Sequence, residues 1–84
     1  MNPVRIYTGP FCGYCVMAKR LMTARDIPFE EIDVGGDHEK RMWLVETTGQ
    51  RTVPQIFIGD ESIGGYTELA ALDRSGGLLP KLED

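Results

Sequence analysis

The spacing of apolar residues predicts three secondary-structure elements in the first half of the chain, two from strand-like alternation and one from helical spacing. A strand is predicted over residues 3–8, a helix from about residue 12 or 13 to residue 25, and a second strand over residues 28–34. One face of the helix carries Tyr14, Met17, Ala18 and Leu21, and Tyr14 is expected to be exposed because it lies between two cysteines. A strand, a helix and a strand in this order form a βαβ unit, so the two strands should be parallel with a right-handed crossover.

A second helix is predicted over residues 38–48. Asp37 is a suitable N-cap, and Gly49 is a suitable end because glycine readily adopts the left-handed conformation found there. Met42 and Val45 are expected on the inward face of this helix, with Arg41 nearer its edge.

The last third of the chain predicts a hairpin followed by a helix. Strands over residues 53–58 and 61–63 flank a Gly-Asp turn. A third helix is predicted over residues 67–74 and stopped by two glycines, and a final short turn packs Leu78, Leu79 and Leu82. The predicted element order is therefore βαβαββα.

Length and charge narrow the possible classes of protein. The 84 residues, 42% of them hydrophobic, predict one domain over residues 1–84 with one modest core. A net charge of −4 argues against a nucleic-acid or anionic-membrane partner. No signal-peptide pattern and no apolar run of about 20 residues is seen, so we expect a cytoplasmic location. In that reducing compartment, two nearby cysteines are more often catalytic or metal-binding than structural.

The segment Cys12-Gly13-Tyr14-Cys15 lies at the junction of the first strand and the first helix. In this context a C-x-x-C pair is typical of a thioredoxin-like redox centre. The attacking species is the thiolate, and the unpaired N–H groups of a helix N-terminus stabilise that anion. We therefore expect Cys12 to attack a disulfide, and Cys15, one turn inside and less exposed, to resolve the mixed disulfide.

Three other roles for the cysteines fit the sequence less well. A structural zinc site usually needs four ligands, whereas the chain offers two cysteines and the single histidine His38. A structural disulfide is uncommon in a cytoplasmic chain. The interpretation as two buried, inert thiols disagrees with the flanking residues Pro10 and Gly13, which indicate an exposed junction.

With these motifs in place, the sequence resembles the glutaredoxin family over nearly its whole length. Three separated motifs carry the resemblance, namely IYTGPFCGYC at residues 6–15, RTVPQIFI at 51–58 and IGGYTEL at 63–69. The resemblance implies a thioredoxin fold of the α/β class, with a four-stranded mixed sheet flanked by three helices. It also implies that glutathione is a co-substrate, and that protein disulfides and glutathionylated proteins are the substrates.

The resemblance further implies where glutathione binds. The Val53–Pro54 bond is expected to be cis, so that the Val53 backbone pairs with the cysteine residue of glutathione. Two arginines are candidates for the glycine carboxylate, and the N-terminus of the last helix, after Gly64-Gly65, is the candidate for the γ-glutamyl carboxylate. The expected contacts are Tyr14, Arg41, Arg51, Thr52, Val53, Pro54, Gly65, Tyr66, Thr67 and Glu68.

The chain departs from the family pattern at three places. Gly13 replaces a common proline, and Gly9 replaces a common lysine, which removes a positive charge near Cys12. Tyr66-Thr67-Glu68 replaces a more usual pair of aspartates, although Thr67 can still cap the last helix. The acidity of Cys12 is therefore expected to depend on the helix N-terminus, and glutathione to bind somewhat more weakly.

Two alternative functions remain open from the sequence. Some glutaredoxins without the active-site proline bind a [2Fe–2S] cluster between two protomers, with Cys12 of each subunit and two glutathione thiolates as ligands. Such a protein is a dimer, whereas the redox enzyme is expected to be a monomer. The other alternative is a redoxin reduced by a flavoprotein reductase, against which stand Arg41, Arg51 and the Gly64-Gly65 helix start.

Overall fold

The computed structural model describes residues 1–83, which form a four-stranded sheet and four helices. The elements are β1 (Val4–Thr8), α1 (Gly13–Ala24), β2 (Glu30–Asp33), α2 (His38–Thr48), β3 (Gln55–Ile58), β4 (Glu61–Gly64), α3 (Tyr66–Arg74) and α4 (Leu78–Leu82). The five-residue helix α4 replaces the short turn that the sequence predicted. In the described part of the chain, no helix is both long and apolar enough to span a bilayer.

The strands lie in the order β2-β1-β3-β4. Strands β1 and β2 are parallel, as expected of the βαβ unit, whereas β1 with β3 and β3 with β4 are antiparallel. The sheet is therefore mixed, and the predicted thioredoxin fold is confirmed.

Apolar residues cover both faces of the two central strands. Because side chains alternate along a strand, Ile6 and Ile56 enter one core cluster while Tyr7 and Phe57 enter another. The first cluster includes residues of α1, α3 and α4, and the second includes Leu44 of α2. Helices thus pack on both faces of the sheet. The C-terminal end of β1, which leads into α1, lies beside the N-terminal start of β3.

The predicted inward faces of two helices were wrong in part. In α1 the buried residues are Cys15, Ala18 and Met22, whereas Met17 is 43% exposed. Tyr14 is exposed, as its position between the cysteines predicted. In α2 the buried residue is Leu44, and Met42 is 42% exposed. In α1 the observed stripe overlaps the predicted one at Ala18, and packing against the sheet selects the stripe that the sequence analysis did not favour. In α2 the apolar residues are consecutive, and Leu44 is the one that enters the core.

The predicted ends of α2 are confirmed. The Asp37 side chain accepts a hydrogen bond from the Lys40 backbone N–H at 3.0 Å, which satisfies one of the free donors of the first turn. Gly49 ends the helix with a φ of 74°, in the left-handed region that glycine adopts without a steric penalty.

Candidate active site

Cys12 is the N-cap residue of α1. Its Sγ accepts a hydrogen bond from the Cys15 backbone N–H at 3.1 Å, and it is joined to Cys15 in a disulfide. Cys12 is partly exposed, whereas Cys15 is only 2% exposed, as the sequence analysis expected of the inner cysteine. After reduction, the same N–H can stabilise a negative charge on Cys12, while burial disfavours a charge on Cys15.

The residues immediately before Cys12 form an outward-pointing loop. Phe11 adopts a φ of 54°, which is uncommon for a residue with a side chain, and its ring is fully exposed. Pro10 packs closely against Gly35, in the loop between β2 and α2. The approach of these two loops fixes the path of the chain that leads into Cys12.

Replacing Gly35 with alanine should weaken both the fold and the active-site loop. The added Cβ would lie 2.5 Å from Pro10 Cδ and 3.1 Å from Asp33 Oδ1, so the loop before Cys12 must move. We expect the free energy of unfolding to fall by about 1–3 kcal/mol, as in other overpacked sites. Denaturant unfolding measures the loss, and the rate of thiol alkylation at Cys12 reports the displaced loop.

Gly36 provides the matched control for this substitution. A Cβ at Gly36 would have no atom within 4 Å, so Gly36→Ala should leave stability and alkylation nearly unchanged. Equal effects of the two alanine variants would show that the contact with Pro10 does not position the loop.

The predicted cis bond between Val53 and Pro54 is confirmed. The Val53 carbonyl oxygen lies 3.6 Å from Cys12 Sγ, which places the segment before β3 directly beside the sulfur. Gly9 completes this contact, because a Cβ there would lie 3.2 Å from Val53 Cγ2. The small residue at position 9 therefore allows the loop after β1 to approach Val53 closely.

Two pockets meet at Val53, and together they include all ten predicted glutathione contacts. The first pocket lies between α2 and the loop before β3, and includes Arg41 and Arg51. The second lies at the N-terminus of α3 and is lined by Tyr14, Gln50, Thr52, Val53, Pro54, Gly65, Tyr66, Thr67 and Glu68. Gln50, Thr52 and Val53 line both pockets, so the two lie side by side along this segment. Cys12 and Cys15 line neither of them, but line a third pocket with residues of the loop after β1.

The sequence analysis missed two polar residues that line these pockets. Gln50 lines both pockets, and His38 lines the first, one helical turn before Arg41. A signal for Gln50 was its position next to Arg51 and the Thr-Val-Pro motif. His38 had a signal in its spacing of three residues from Arg41, which puts both side chains on one side of α2.

The N-terminus of α3 differs from the prediction in its cap. The helix begins at Tyr66 with Gly65 as N-cap, so Thr67 lies inside the first turn and the prediction that it caps the helix was wrong. The Glu68 carboxylate instead accepts the Gly65 N–H at 2.8 Å. A glycine N-cap has no side chain with which to satisfy the next N–H groups, which therefore remain available to a ligand.

The aromatic rings of Tyr14 and Tyr66 form one wall of the second pocket. Their ring centroids are 6.0 Å apart and the rings are nearly parallel, with an interplanar angle of 21°. This stack joins the turn that contains the cysteines to the start of α3.

An ion pair joins the two helices whose N-termini form the site. Arg25, which follows α1, donates two hydrogen bonds of 2.9 Å to Asp73 of α3. These hydrogen bonds, together with the guanidinium charge, lower the pKa of Asp73. Because the pKa of Asp73 is lowered in the folded state, the stabilisation from this pair is fully present above the ordinary pKa of aspartate. It is lost as the pH falls from that value through the lowered pKa.

No three His, Cys, Asp or Glu side chains within residues 1–83 come together as a metal-binding group. The reactive groups of the site are the two sulfurs of Cys12 and Cys15. A partly exposed cysteine at a helix N-terminus, bonded to a buried cysteine one turn later, follows the C-terminal end of the central strand β1 in a mixed sheet with helices on both faces. This combination defines a thiol–disulfide oxidoreductase of the thioredoxin fold.

The chain belongs to the glutaredoxin family, whose family model matches residues 4–63. It is 48% identical over 79 residues to a glutaredoxin of Neisseria meningitidis, covering 93% of each chain. It is 43% identical over 83 residues to glutaredoxin 3 of Escherichia coli, covering 99% of this chain and all of the relative. The structure of a buckwheat glutaredoxin–glutathione complex is similar, with a TM-score of 0.88, 33% identity, and coverage of 96% of this chain and 76% of that one.

Proposed function

We propose that this chain is a glutathione-dependent oxidoreductase that reduces protein disulfides and protein–glutathione mixed disulfides. The observation that supports this most strongly is that Cys12 Sγ lies 3.6 Å from the carbonyl oxygen of Val53, a residue that lines both pockets. A tripeptide lying along both pockets brings its central cysteine to that point. The glutathione bound to the similar buckwheat protein supports the same ligand class.

Each charged end of glutathione has a partner in this proposal. The glycine carboxylate binds Arg41 and Arg51, whose planar guanidinium groups suit a carboxylate. The γ-glutamyl carboxylate lies at the start of α3, where backbone N–H groups and the helix dipole favour an anion. Glu68, whose carboxylate lies at the same helix end, is placed to pair with the γ-glutamyl amine.

One sulfur is enough for the proposed reduction of a glutathionylated protein. The Cys12 thiolate attacks the glutathione sulfur, the bond between Cys12 and glutathione forms, and the protein thiolate leaves and takes up a proton. A second glutathione thiolate then attacks the glutathione sulfur held on Cys12. Oxidised glutathione is released and the Cys12 thiolate is restored, so two electrons pass from glutathione to the substrate.

A protein disulfide requires both cysteines. Cys12 attacks one substrate sulfur and forms a mixed disulfide, and Cys15, after losing its proton, attacks Cys12 Sγ and releases the reduced substrate. The product is the Cys12–Cys15 disulfide, which is the state seen in the structure. Two glutathione molecules then reduce it. The burial of Cys15 suits this role, because an intramolecular nucleophile needs no access for an external partner.

The proposed function is tested by following the reduction of a small mixed disulfide with glutathione, coupled to glutathione reductase. A parallel assay replaces glutathione and its reductase with a thioredoxin reductase. We expect turnover in the assay with glutathione and glutathione reductase, and none in the assay with thioredoxin reductase. Turnover only with the flavoprotein reductase would refute glutathione dependence and favour the redoxin alternative.

The pKa of the reduced Cys12 thiol should lie below the ordinary cysteine value of about 8.5. The Cys15 N–H donates to Cys12 Sγ at 3.1 Å and favours the thiolate, whereas the Val53 carbonyl, which favours the thiol, is farther away at 3.6 Å. Because the rate of alkylation by iodoacetamide follows the thiolate fraction, the midpoint of its rise with pH should lie below about pH 8.5.

The Cys15→Ser variant isolates this titration, because it removes the second thiol and keeps the backbone N–H that donates to Cys12. The same variant unfolded in denaturant serves as the control and should titrate at the ordinary value. A folded-state pKa equal to the unfolded one would show that the helix N-terminus does not activate Cys12.

A further inference from the structure

Gln55 is a polar residue at the start of the central strand β3, where the neighbouring side chains are apolar and buried. It is fully buried, and its side-chain Nε2 donates to Gln50 Oε1 at 3.1 Å and to the Thr52 backbone carbonyl at 3.0 Å. A third acceptor, Thr52 Oγ1, lies at 3.4 Å. All of these contacts are made to the loop that forms the shared wall of the two pockets.

The other end of the same amide has no partner. Gln55 Oε1 is buried and makes no hydrogen bond to any residue in the described part of the chain. A buried acceptor without a partner is destabilising, so the fold gains little from the polar oxygen at this position. What the amide does supply is a set of N–H donors directed at Gln50 and Thr52.

These donors determine which end of the Gln50 side chain faces the pockets. Gln50 Oε1 is bound to Gln55, and the Gln50 backbone N–H is bound to Thr48 Oγ1 at 3.1 Å. The remaining polar group of the Gln50 side chain, Nε2, has no partner among residues 1–83. Gln50 is exposed and lines both pockets, so its two free N–H donors are available where the pockets meet.

We propose that Gln50 is a recognition residue for glutathione and that buried Gln55 is the positioning residue that presents it. Gln50 Nε2 donates to an acceptor oxygen of the tripeptide at the junction of the pockets. Gln55 keeps Gln50 Oε1 turned inward, so that the donor end and not the acceptor end meets the ligand. This inference rests on the proposed glutathione dependence.

Gln50→Ala tests the recognition residue directly, and its exposed position leaves the fold intact. The KM for glutathione should rise by about 3- to 10-fold, the effect of losing one hydrogen bond, with kcat unchanged at saturating glutathione. Gln50→Glu, which keeps the size and removes both donors, should raise KM at least as much. An unchanged KM in both variants would overturn the proposal.

Gln55→Met tests the positioning residue, because methionine has a similar length and lacks both the donors and the orphan acceptor. We expect its KM for glutathione to rise as in Gln50→Ala, with an unchanged alkylation rate at Cys12. In the double variant Gln50→Ala/Gln55→Met, the KM should match that of Gln50→Ala alone, because Gln55 acts through Gln50. Effects that multiply in the double variant would show that Gln55 does not act through Gln50.

Failure of this inference is distinguishable from failure of the proposed function. If the unaltered protein shows no glutathione-dependent turnover, the proposed function fails first. If it turns over and the Gln50 variants keep its KM, only the inference fails. Thermal unfolding of Gln55→Met separates a loss of positioning from a loss of fold. If Gln55→Met does not fold, Gln50→Ala and Gln50→Glu still decide whether Gln50 recognises glutathione.

Discussion

Replacing Cys12 with serine should abolish both proposed activities, whereas replacing Cys15 with serine should abolish only one. A serine hydroxyl remains protonated near neutral pH and does not attack sulfur, so the Cys12→Ser rate should fall by about 10³-fold or more, to background. Cys15→Ser should keep the reduction of protein–glutathione mixed disulfides, which needs one sulfur. It should lose the reduction of protein disulfides by the route that closes the Cys12–Cys15 bond.

The geometry allows this pair of variants to separate the roles of the two sulfurs. The donor to Cys12 Sγ is the backbone N–H of residue 15, which serine retains, so Cys15→Ser does not remove the group expected to activate Cys12. Both variants are assayed side by side with a glutathionylated peptide and with a protein disulfide. Activity of Cys12→Ser on either substrate, or loss of both activities in Cys15→Ser, would contradict the assignment of the two sulfurs.

The sequence predicted the sheet and the path of the chain well because local signals agreed with the tertiary structure. The alternating pattern of β1 and the strand-forming run of β3 identify the two central strands, and the parallel pairing of β1 with β2 follows from the intervening helix. Asp37 and Gly49 mark the ends of α2 because capping depends on nearby backbone groups. Such features are decided within a few residues and can be seen in a sequence.

The orientation of the helices was less predictable. In α1, the stripe with Met17 and the stripe with Met22 share Ala18, and hydrophobic spacing alone does not choose between them. The choice depends on how the helix sits on the sheet, which is a property of the whole fold. The cap of α3 was mispredicted for a related reason. Gly65 has no capping side chain, and the hydrogen bond at this helix end runs from the Gly65 N–H to the Glu68 carboxylate.

The pocket residues could be placed by resemblance to a family, but not from local patterns. The ten expected contacts come from α1, α2, the loop before β3 and the start of α3, which are distant in sequence. Gln50 was missed because nothing in the sequence shows that a buried Gln55 fixes its amide. A polar residue between Pro54 and the apolar run that follows is the signal that could have raised this question.

Removing the two arginines of the first pocket should weaken glutathione binding more than any other change outside the cysteines. Arg41 and Arg51 are exposed and line the same pocket, and neither guanidinium has a hydrogen-bond or ion-pair partner among residues 1–83. They are therefore free to bind a carboxylate. Each alanine variant should raise the KM for glutathione by about tenfold, the effect of losing a charge-assisted hydrogen bond.

The double variant Arg41→Ala/Arg51→Ala should raise the KM by about 30- to 100-fold, because the two single effects do not add fully when both side chains serve one carboxylate. The KM of the unaltered protein should also rise with salt, since exposed charges are screened, and this dependence should shrink in the double variant. Arg20→Ala is the matched control, because it removes the same charge from an exposed position on α1 that lines neither pocket. If Arg20→Ala raised the KM as much as Arg41→Ala, the effect would come from net charge rather than from a carboxylate held at this pocket.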